Sequence, residues 1–370
     1  MKKKSWVYAL AVCLMAPMAC SRDEGIDIPQ TPTDCITFGV TSLQGGIVSR
    51  STPLDVLPDG SSFGVLGYCL AQKVNDSALD PGTGPTEWLT KETLAPPHVF
   101  YKQKVTSNNG VCTYTPIKEW DINYAYKYTF FAYYPFNDGA GFTVDTKDTD
   151  TGAPEMTFSL PFDSDNKDTA TELDDSTIPD AMVAWATDVT RNAGQVPLHF
   201  LHLLTGLNVR VNNYNEKEDH ALGDSVVIHS LRLSGMFYKS IHIDFDNGVT
   251  FPDDTFVGTY RFLADGDSVV VQGGSSAYPI GGKTVLLLSN TSEQGSTNGY
   301  FGNNEVTVEY SFGESKHKTQ TFSRPENFLP ASGTIYTVQL NFIGDAFVLN
   351  CVVDNAQRWE DGGDSDITFE

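Results

Sequence analysis

Short apolar runs separated by polar turn residues dominate the sequence and predict an all-β protein. Runs rich in Val, Ile, Tyr, Phe and Thr recur about every ten residues, with Gly, Pro, Ser, Asn and Asp between them. The predicted strands are Ile36–Val40, Ser62–Leu70, Val111–Thr115, Lys127–Tyr134, Ala181–Thr187, Leu207–Asn212, Val226–Ser234, Ser240–Phe245, Ser268–Gln272, Thr284–Ser289, Glu305–Phe312, Ile335–Phe342 and Phe347–Val353.

The apolar residues alternate clearly in one segment and are ambiguous in another. In Tyr336–Phe342 the even-numbered residues are apolar, so they should face a core while the odd ones face away. The strongest helix candidate is Pro197–Leu207, which fits equally well a strand with a bulge at 202–204.

The chain length predicts two domains. Its 370 residues exceed what one small core usually organises. The best boundary lies near Asn192–Gln195, after the polar, acidic stretch 163–177 and one more strand. Residues 36–194 and 195–370 each fit a β-sandwich of about seven to nine strands.

The first residues predict export. Lys2–Lys4 and the apolar run Trp6–Met18 form a signal peptide, predicted over residues 1–19, that is short for a membrane span. Cys20 follows Ala19, where a bacterial lipoprotein is cut and acylated, and residues 20–35 then form an export tag and linker. Ser21–Glu24 resembles the acidic export tag of surface lipoproteins in the Bacteroidota. A plain signal peptide with a coincidental cysteine is the alternative, and either places the protein outside the cytoplasm.

Charge narrows the set of partners. The chain carries 24 Lys and Arg against 47 Asp and Glu, a net charge of −23 at pH 7. Residues 1–19 hold three lysines and no acids, so the mature chain is more negative still, at 21 against 47. Such a surface repels nucleic acid and anionic lipid headgroups.

Cysteine spacing does not predict a metal site. With Cys20 acylated, the mature chain keeps Cys35, Cys69, Cys112 and Cys351, which lack CxxC spacing and allow three disulfide pairings. The sequence does not choose among these pairings, and Cys69–Cys112 is the first to test.

Candidate catalytic and metal-binding motifs are weak throughout the chain. His199 and His202 would point to opposite faces of a strand, which disfavours joint metal ligation. No GxSxG, HExxH or complete phosphate-binding loop occurs, and the Gly281–Thr284 stretch leads into a strand. The acidic stretch 361–366 lacks EF-hand spacing. These observations predict no enzyme activity, no metal and no cofactor, and favour a structural or binding role.

Several segments in order resemble the Mfa-like fimbrillin family of Bacteroidota, the subunits of type V pili. They are Ile36–Phe38 with Ser49–Ser51 after it, Phe63–Tyr68, Tyr128–Pro135, Asp180–Ala184, and Val196–His202 through Leu207–Val209. The resemblance implies a lipoprotein with two tandem transthyretin-like Greek-key β-sandwich domains, in agreement with the strand pattern.

The same resemblance implies protease-triggered assembly. An N-terminal strand from Ile36 to about Val48 would be removed when an arginine-specific protease cuts between Arg50 and Ser51. The removable strand and cleavage loop are thus residues 36–50. The groove left behind would accept a strand from another subunit, through backbone hydrogen bonds and alternating side chains. Because this contact is head-to-tail, it propagates into a filament. The alternative is that Arg50 is an ordinary surface arginine in a loop.

The C-terminal tail is the implied donor strand, since Ile367 and Phe369 alternate as an inserted strand requires. The tail could equally complete its own domain.

Three hypotheses follow. The first is a non-enzymatic fimbrial subunit at the cell surface that contacts other subunits, the protease, the outer membrane through its lipid, and a host protein or glycan. The second is a tethered adhesin or glycan-binding lipoprotein that does not polymerise, including a tip or anchor subunit. The third is a glycan-degrading enzyme, for which no carboxylate pair stands out.

Overall fold

The computed structural model describes residues 34–40, 57–70, 73–74, 78–79, 96–120, 127–136, 141–161, 171–172, 178–191, 194–215, 225–252, 255–264, 266–282, 284–288, 305–313, 317–323, 332–350 and 357–358. All of them belong to one unit, Asp34–Glu370. Within this part of the chain the regular elements are strands, apart from one short 3-10 turn at Ile280–Gly282. The described residues contain no helix long and apolar enough to cross a bilayer.

The strands of the first half are β1 Thr37–Val40, β2 Ser62–Leu70, β3 Lys73–Val74, β4 Ala78–Leu79, β5 Phe100–Asn108, β6 Val111–Thr113, β7 Lys127–Tyr134, β8 Phe142–Val144, β9 Glu155–Ser159, β10 Thr171–Glu172, β11 Met182–Val189, β12 Gln195–Leu198 and β13 Leu201–His202. The strands of the second half are β14 Thr205–Asn213, β15 Val226–Tyr238, β16 Ser240–Asp244, β17 Gly248–Thr250, β18 Thr255–Arg261, β19 Val269–Val271, β20 Ser275–Ala277, β21 Val285–Leu287, β22 Glu305–Phe312, β23 Lys318–Ser323, β24 Thr334–Ile343, β25 Ala346–Asn350 and β26 Gln357–Arg358.

The all-β prediction is confirmed, and every predicted strand overlaps an observed one. The candidate helix at Pro197–Leu207 is wrong, and the segment is extended but is not the single bulged strand of the alternative, because its pieces pair in three different sheets. That segment contains the end of β12, all of β13 and the start of β14, with the chain leaving strand geometry at Leu203 and Leu204. Both leucines are fully buried, so tertiary packing overrides the helical spacing.

The N-terminal sheet has the order β13-β11-β7-β2-β5-β6, and its central strand β7 is buried on both faces. On β7, Phe130 belongs to one hydrophobic cluster and Phe131 to another, because successive side chains point to opposite faces. Double burial explains why β7 is an almost continuous apolar run rather than an alternating one.

Three further sheets surround the larger hydrophobic cluster. Their strand orders are β10-β18-β15-β22-β23, β20-β14-β24-β25 and β17-β16-β9-β8. On β24, Tyr336, Val338, Leu340 and Phe342 are all buried as predicted, but Gln339 and Asn341 are buried too, so the strand is covered on both faces at this end. β14 and β24 run parallel, with Val209 opposite Val338.

The division into 36–194 and 195–370 stays a prediction. β12 follows the predicted boundary directly, and it pairs with β1 near the start of the chain. Val196 and Leu198 of β12 belong to the same hydrophobic cluster as Phe38.

The disulfide Cys69–Cys112 does not form. Cys35, Cys69 and Cys112 are not joined by disulfides. In the sheet register Gly67 lies opposite Phe100, whereas Cys112 lies opposite Ser107 at the other end of β5. Cys69 lies two residues beyond Gly67, so about nine residues at roughly 3.3 Å each separate the two thiols, far beyond the reach of a disulfide.

Candidate functional site: the groove that holds the N-terminal strand

The N-terminal segment, defined here as residues 34–40, lies across one face of the N-terminal sheet. Its strand β1 pairs in parallel with β12, with Thr37 opposite Gln195 and Phe38 opposite Val196. The side chains of Ile36 and Phe38 are each only 1% exposed. Because alternate residues share a face, Ile36 and Phe38 point into the core while Thr37 points away.

Phe38 occupies a pocket of four aromatic rings, which we call the Phe38 pocket. Its ring centroid lies 5.6–6.4 Å from four neighbours in edge-to-face geometry: 6.4 Å from Phe63, 5.7 Å from Phe100, 5.8 Å from Tyr114 and 5.6 Å from Phe130. These separations are favourable for aromatic pairs, which add stabilisation beyond the area they bury. Phe38 is thus the central side chain of this hydrophobic cluster.

Backbone hydrogen bonds hold the N-terminal segment mainly along one edge. The parallel ladder with β12 covers four residue pairs. On the other edge, the Ile36 amide donates to the Lys118 carbonyl at 2.9 Å and the Trp120 amide to the Asp34 carbonyl at 2.8 Å. Among the described residues, no strand ladder joins β1 to β6.

On that second edge, where no partner strand lies among the described residues, the Tyr114 side chain provides hydrogen bonds to the backbone. Its hydroxyl donates to the Ile36 carbonyl at 2.7 Å and accepts from the Lys118 amide at 3.3 Å. Burial raises the pKa of Tyr114, and the nearby Cys35 thiol adds to the rise. Tyr114 therefore stays protonated and available as a donor.

The start of the segment is also held by charge, since the Arg191 guanidinium donates to the Asp34 carboxylate. Both side chains are 44% exposed, so this ion pair contributes little stability compared with the buried rings. The groove therefore binds its strand chiefly through Ile36 and Phe38.

Cys112 reports on the state of this groove because it packs against the hydrophobic cluster that contains Phe38. Burial raises the pKa of Cys112 to about 11, opposed by a hydrogen bond with Ser107. Only the thiolate reacts with alkylating agents.

We expect Cys112 to react slowly with iodoacetamide at pH 8, with a rate that still rises at pH 10. Release of the N-terminal segment removes part of the burial, so the pKa falls and the rate at pH 8 increases. Peptide mass spectrometry of alkylated protein, before and after release, measures both rates. Equal rates in the two states would contradict the role assigned to burial.

The predicted site residues themselves lie outside the described residues. This applies to Cys20, Arg50, Ser51, Ile367 and Phe369. Of the strand proposed as removable, from Ile36 to about Val48, the structure describes the part up to Val40. Residues 41–56, which include Arg50, connect it to the rest of the chain. The strand Phe347–Val353 expected before the tail is found as β25, on the edge of β24.

The residues that line the groove were not predicted from the sequence. Phe100, Tyr114 and Trp120 line it, and none of them was singled out as a site residue. Trp120 is 2% exposed and packs its ring 4.8 Å from that of Tyr128. The only available signal was the density of aromatic residues between 100 and 133.

Among the described residues, the histidines and tryptophans do not form a second site. His199 is exposed and follows β12, whereas His202 of β13 is buried with its Nδ1 2.9 Å from Asp180 Oδ1, so the two histidines differ in environment but do not share the one strand that was predicted. Within the described residues, no three His, Cys, Asp or Glu side chains come together as metal ligands. Trp185 packs against the larger cluster, and Trp88 and Trp359 lie outside the described residues.

Comparisons with known proteins agree with the resemblance read from the sequence. A family model described as fimbrillin-like matches residues 84–355. The fimbrium subunit Fim1C of Phocaeicola vulgatus is 25% identical over 408 aligned positions that cover all of both chains. A crystal structure of a fimbrial protein from Bacteroides vulgatus ATCC 8482 superposes with a TM-score of 0.51 and 16% identity, covering 88% of this chain and 99% of that one.

Proposed function

The chain belongs to the fimbrillin-like family, and from this premise we propose that it is a structural subunit of a cell-surface fimbria. In this proposal it polymerises by protease-triggered strand exchange and contributes to adhesion. The name of its relative, a fimbrium subunit, supports the structural role. The activity is mechanical, and no catalytic chemistry is assigned to it.

The observation that carries the proposal is the burial of the N-terminal segment in a groove of its own. Cleavage after Arg50 would leave this segment attached to the rest of the chain only by non-covalent contacts. Its departure would uncover the Phe38 pocket and the inner edge of β12. An exposed hydrophobic groove beside an unpaired strand edge demands a new strand, and a strand from another subunit satisfies both needs.

Export and anchoring fit the same scheme. Acylated Cys20 would tether the precursor to the outer membrane, placing it within reach of an arginine-specific protease at the surface. Cleavage after Arg50 would remove the lipid together with the N-terminal strand. The other subunits of the fimbria are then the main partners, and a host protein or glycan is the partner in adhesion.

We expect an arginine-specific protease to cut the purified precursor between Arg50 and Ser51, release the N-terminal peptide and yield SDS-resistant oligomers. The Arg50→Lys variant is the matched control, because it keeps the charge and removes the cleavage site. Gel electrophoresis and mass spectrometry of the new N-terminus measure the result. On cells, the N-terminus should change from acylated Cys20 to free Ser51.

Two outcomes would contradict this proposal. A precursor that is cut and stays monomeric would rule out self-assembly and favour a tip subunit or a tethered, glycan-binding adhesin. Oligomers of the Arg50→Lys variant under the same protease treatment would show that cleavage at this site is not the trigger.

A further inference from the structure

A short loop runs along the second edge of the N-terminal segment. Residues 114–120, which we call the strap, follow directly after β6. Within the strap, Glu119 lies opposite Cys35 of the segment in an antiparallel bridge. The strap therefore holds the segment over residues 34–36, whereas β12 holds it over residues 37–40 on the other edge.

Both backbone polar groups of Ile36 bond to the strap. The Ile36 amide donates to the Lys118 carbonyl at 2.9 Å, and the Ile36 carbonyl accepts from the Tyr114 hydroxyl at 2.7 Å. The same hydroxyl accepts from the Lys118 amide at 3.3 Å, so one oxygen atom joins the strap to the segment. A further bond, from the Trp120 amide to the Asp34 carbonyl at 2.8 Å, completes the bridge.

The buried side chains of the strap lie at its two ends. Trp120 is buried and Tyr114 packs against the hydrophobic cluster that contains the Phe38 pocket, whereas Ile117 between them is 54% exposed. On the opposite edge of the segment, Val196 and Leu198 of β12 are both fully buried. The middle of the strap can therefore move away from the segment without exposing the core, and β12 cannot.

Resting on the proposed function, we propose that the strap keeps the segment in the groove after the chain is cut, and that opening of the strap limits the rate at which the segment leaves. Cleavage and release are then two separate steps. Because its hydroxyl joins the strap to the segment, Tyr114 is the positioning residue that sets this rate. Its ring belongs to the groove whether the strap is open or closed.

Amide hydrogen exchange on the uncut precursor, followed by mass spectrometry at single-residue resolution, measures opening of the strap. The Ile36 and Trp120 amides both donate across the contact, so they should be equally protected, and less protected than the amides that join β1 to β12. Tyr114→Phe should lower the protection of both about 3- to 10-fold, the effect of losing one hydrogen bond, and leave the β1–β12 amides unchanged. Equal protection of all these amides would show that the segment leaves as one unit and would overturn the proposal.

Tyr101→Phe is the matched control. The Tyr101 hydroxyl also donates to a backbone carbonyl, that of Thr146 at 3.2 Å, and this partner belongs to neither the strap nor the segment. The variant should therefore leave the protection of Ile36 and Trp120 at the wild-type level. The same loss of protection in both variants would mean that Tyr114 acts through general stability, which would overturn its role.

Release after cleavage tests the second part of the proposal. Once the chain is cut at Arg50, the segment should dissociate faster from Tyr114→Phe than from the wild-type protein, by the factor found in the exchange experiment. Size-exclusion chromatography with mass spectrometry measures this rate, and equal rates of release would overturn the strap as the limiting step. Neither measurement needs filaments, so a cut protein that releases its segment and stays monomeric counts against the proposed function and not against the strap. A precursor that resists the protease also counts against the proposed function, and the exchange experiment on the uncut chain still decides whether the strap opens first.

Discussion

Replacement of Phe38 by Ala should destabilise the intact precursor by about 3–5 kcal/mol, the range measured for truncating a buried aromatic ring. The side chain is 1% exposed and contacts the rings of Phe63, Phe100, Tyr114 and Phe130. The variant therefore loses both the buried area and these aromatic contacts. Urea denaturation followed by fluorescence measures the change in the free energy of unfolding.

The same variant should polymerise faster once it is cut. In the proposed mechanism the N-terminal segment must leave before a new strand enters, and Phe38→Ala weakens its hold on the groove. Thr37→Ala is the matched control, since it alters the opposite side of the same strand and should change the free energy of unfolding by less than about 1 kcal/mol. A cut Phe38→Ala protein that polymerises more slowly than wild type would contradict strand exchange in this groove.

Strand bounds were predicted best where the hydrophobic pattern of the segment itself specifies which side chains are buried. The predicted bounds of Lys127–Tyr134 and Glu305–Phe312 coincide with β7 and β22. The first is a long apolar run and the second alternates strictly, so each is specified by burial of its own residues. Local pattern and tertiary environment agree in these segments, which makes them predictable.

β5 was missed for the opposite reason. Phe100–Asn108 carries Lys102, Gln103 and Lys104 between its buried residues, and these polar side chains hide the alternation. The segment is a strand because β2 pairs with it along one side and β6 along the other. Such long-range pairing leaves little trace in a short stretch of sequence.

The candidate groove was predictable in part. The pattern of residues 36–40 predicted a strand, and the resemblance to the fimbrillin family implied that this strand is removable. The parallel partner β12 and the hydrogen bond from Tyr114 come from residues distant in the chain. Neither periodicity nor composition connects Phe38 to Phe100 or Tyr114, so the pocket became visible only in the folded structure.

Replacement of Gly281 by Ala should cost more than about 4 kcal/mol and disrupt the core around Phe262. Gly281 has a φ of +67°, in the left-handed region, which costs a residue with a Cβ about 1–2 kcal/mol. In addition, a Cβ there would collide with the backbone carbonyl of Phe262, lying 2.9 Å from its carbon and 3.7 Å from Leu263 Cα. Phe262 is 1% exposed and its amide donates to the Leu231 carbonyl at 2.9 Å, so the backbone has little freedom to move away from the added Cβ.

Gly282→Ala is the control, because Gly282 has the same φ of +67° and no atom within 4 Å of the added Cβ. Urea denaturation should therefore show a loss of about 1–2 kcal/mol for Gly282→Ala and a much larger one for Gly281→Ala, and equal losses would mean that backbone conformation alone accounts for both.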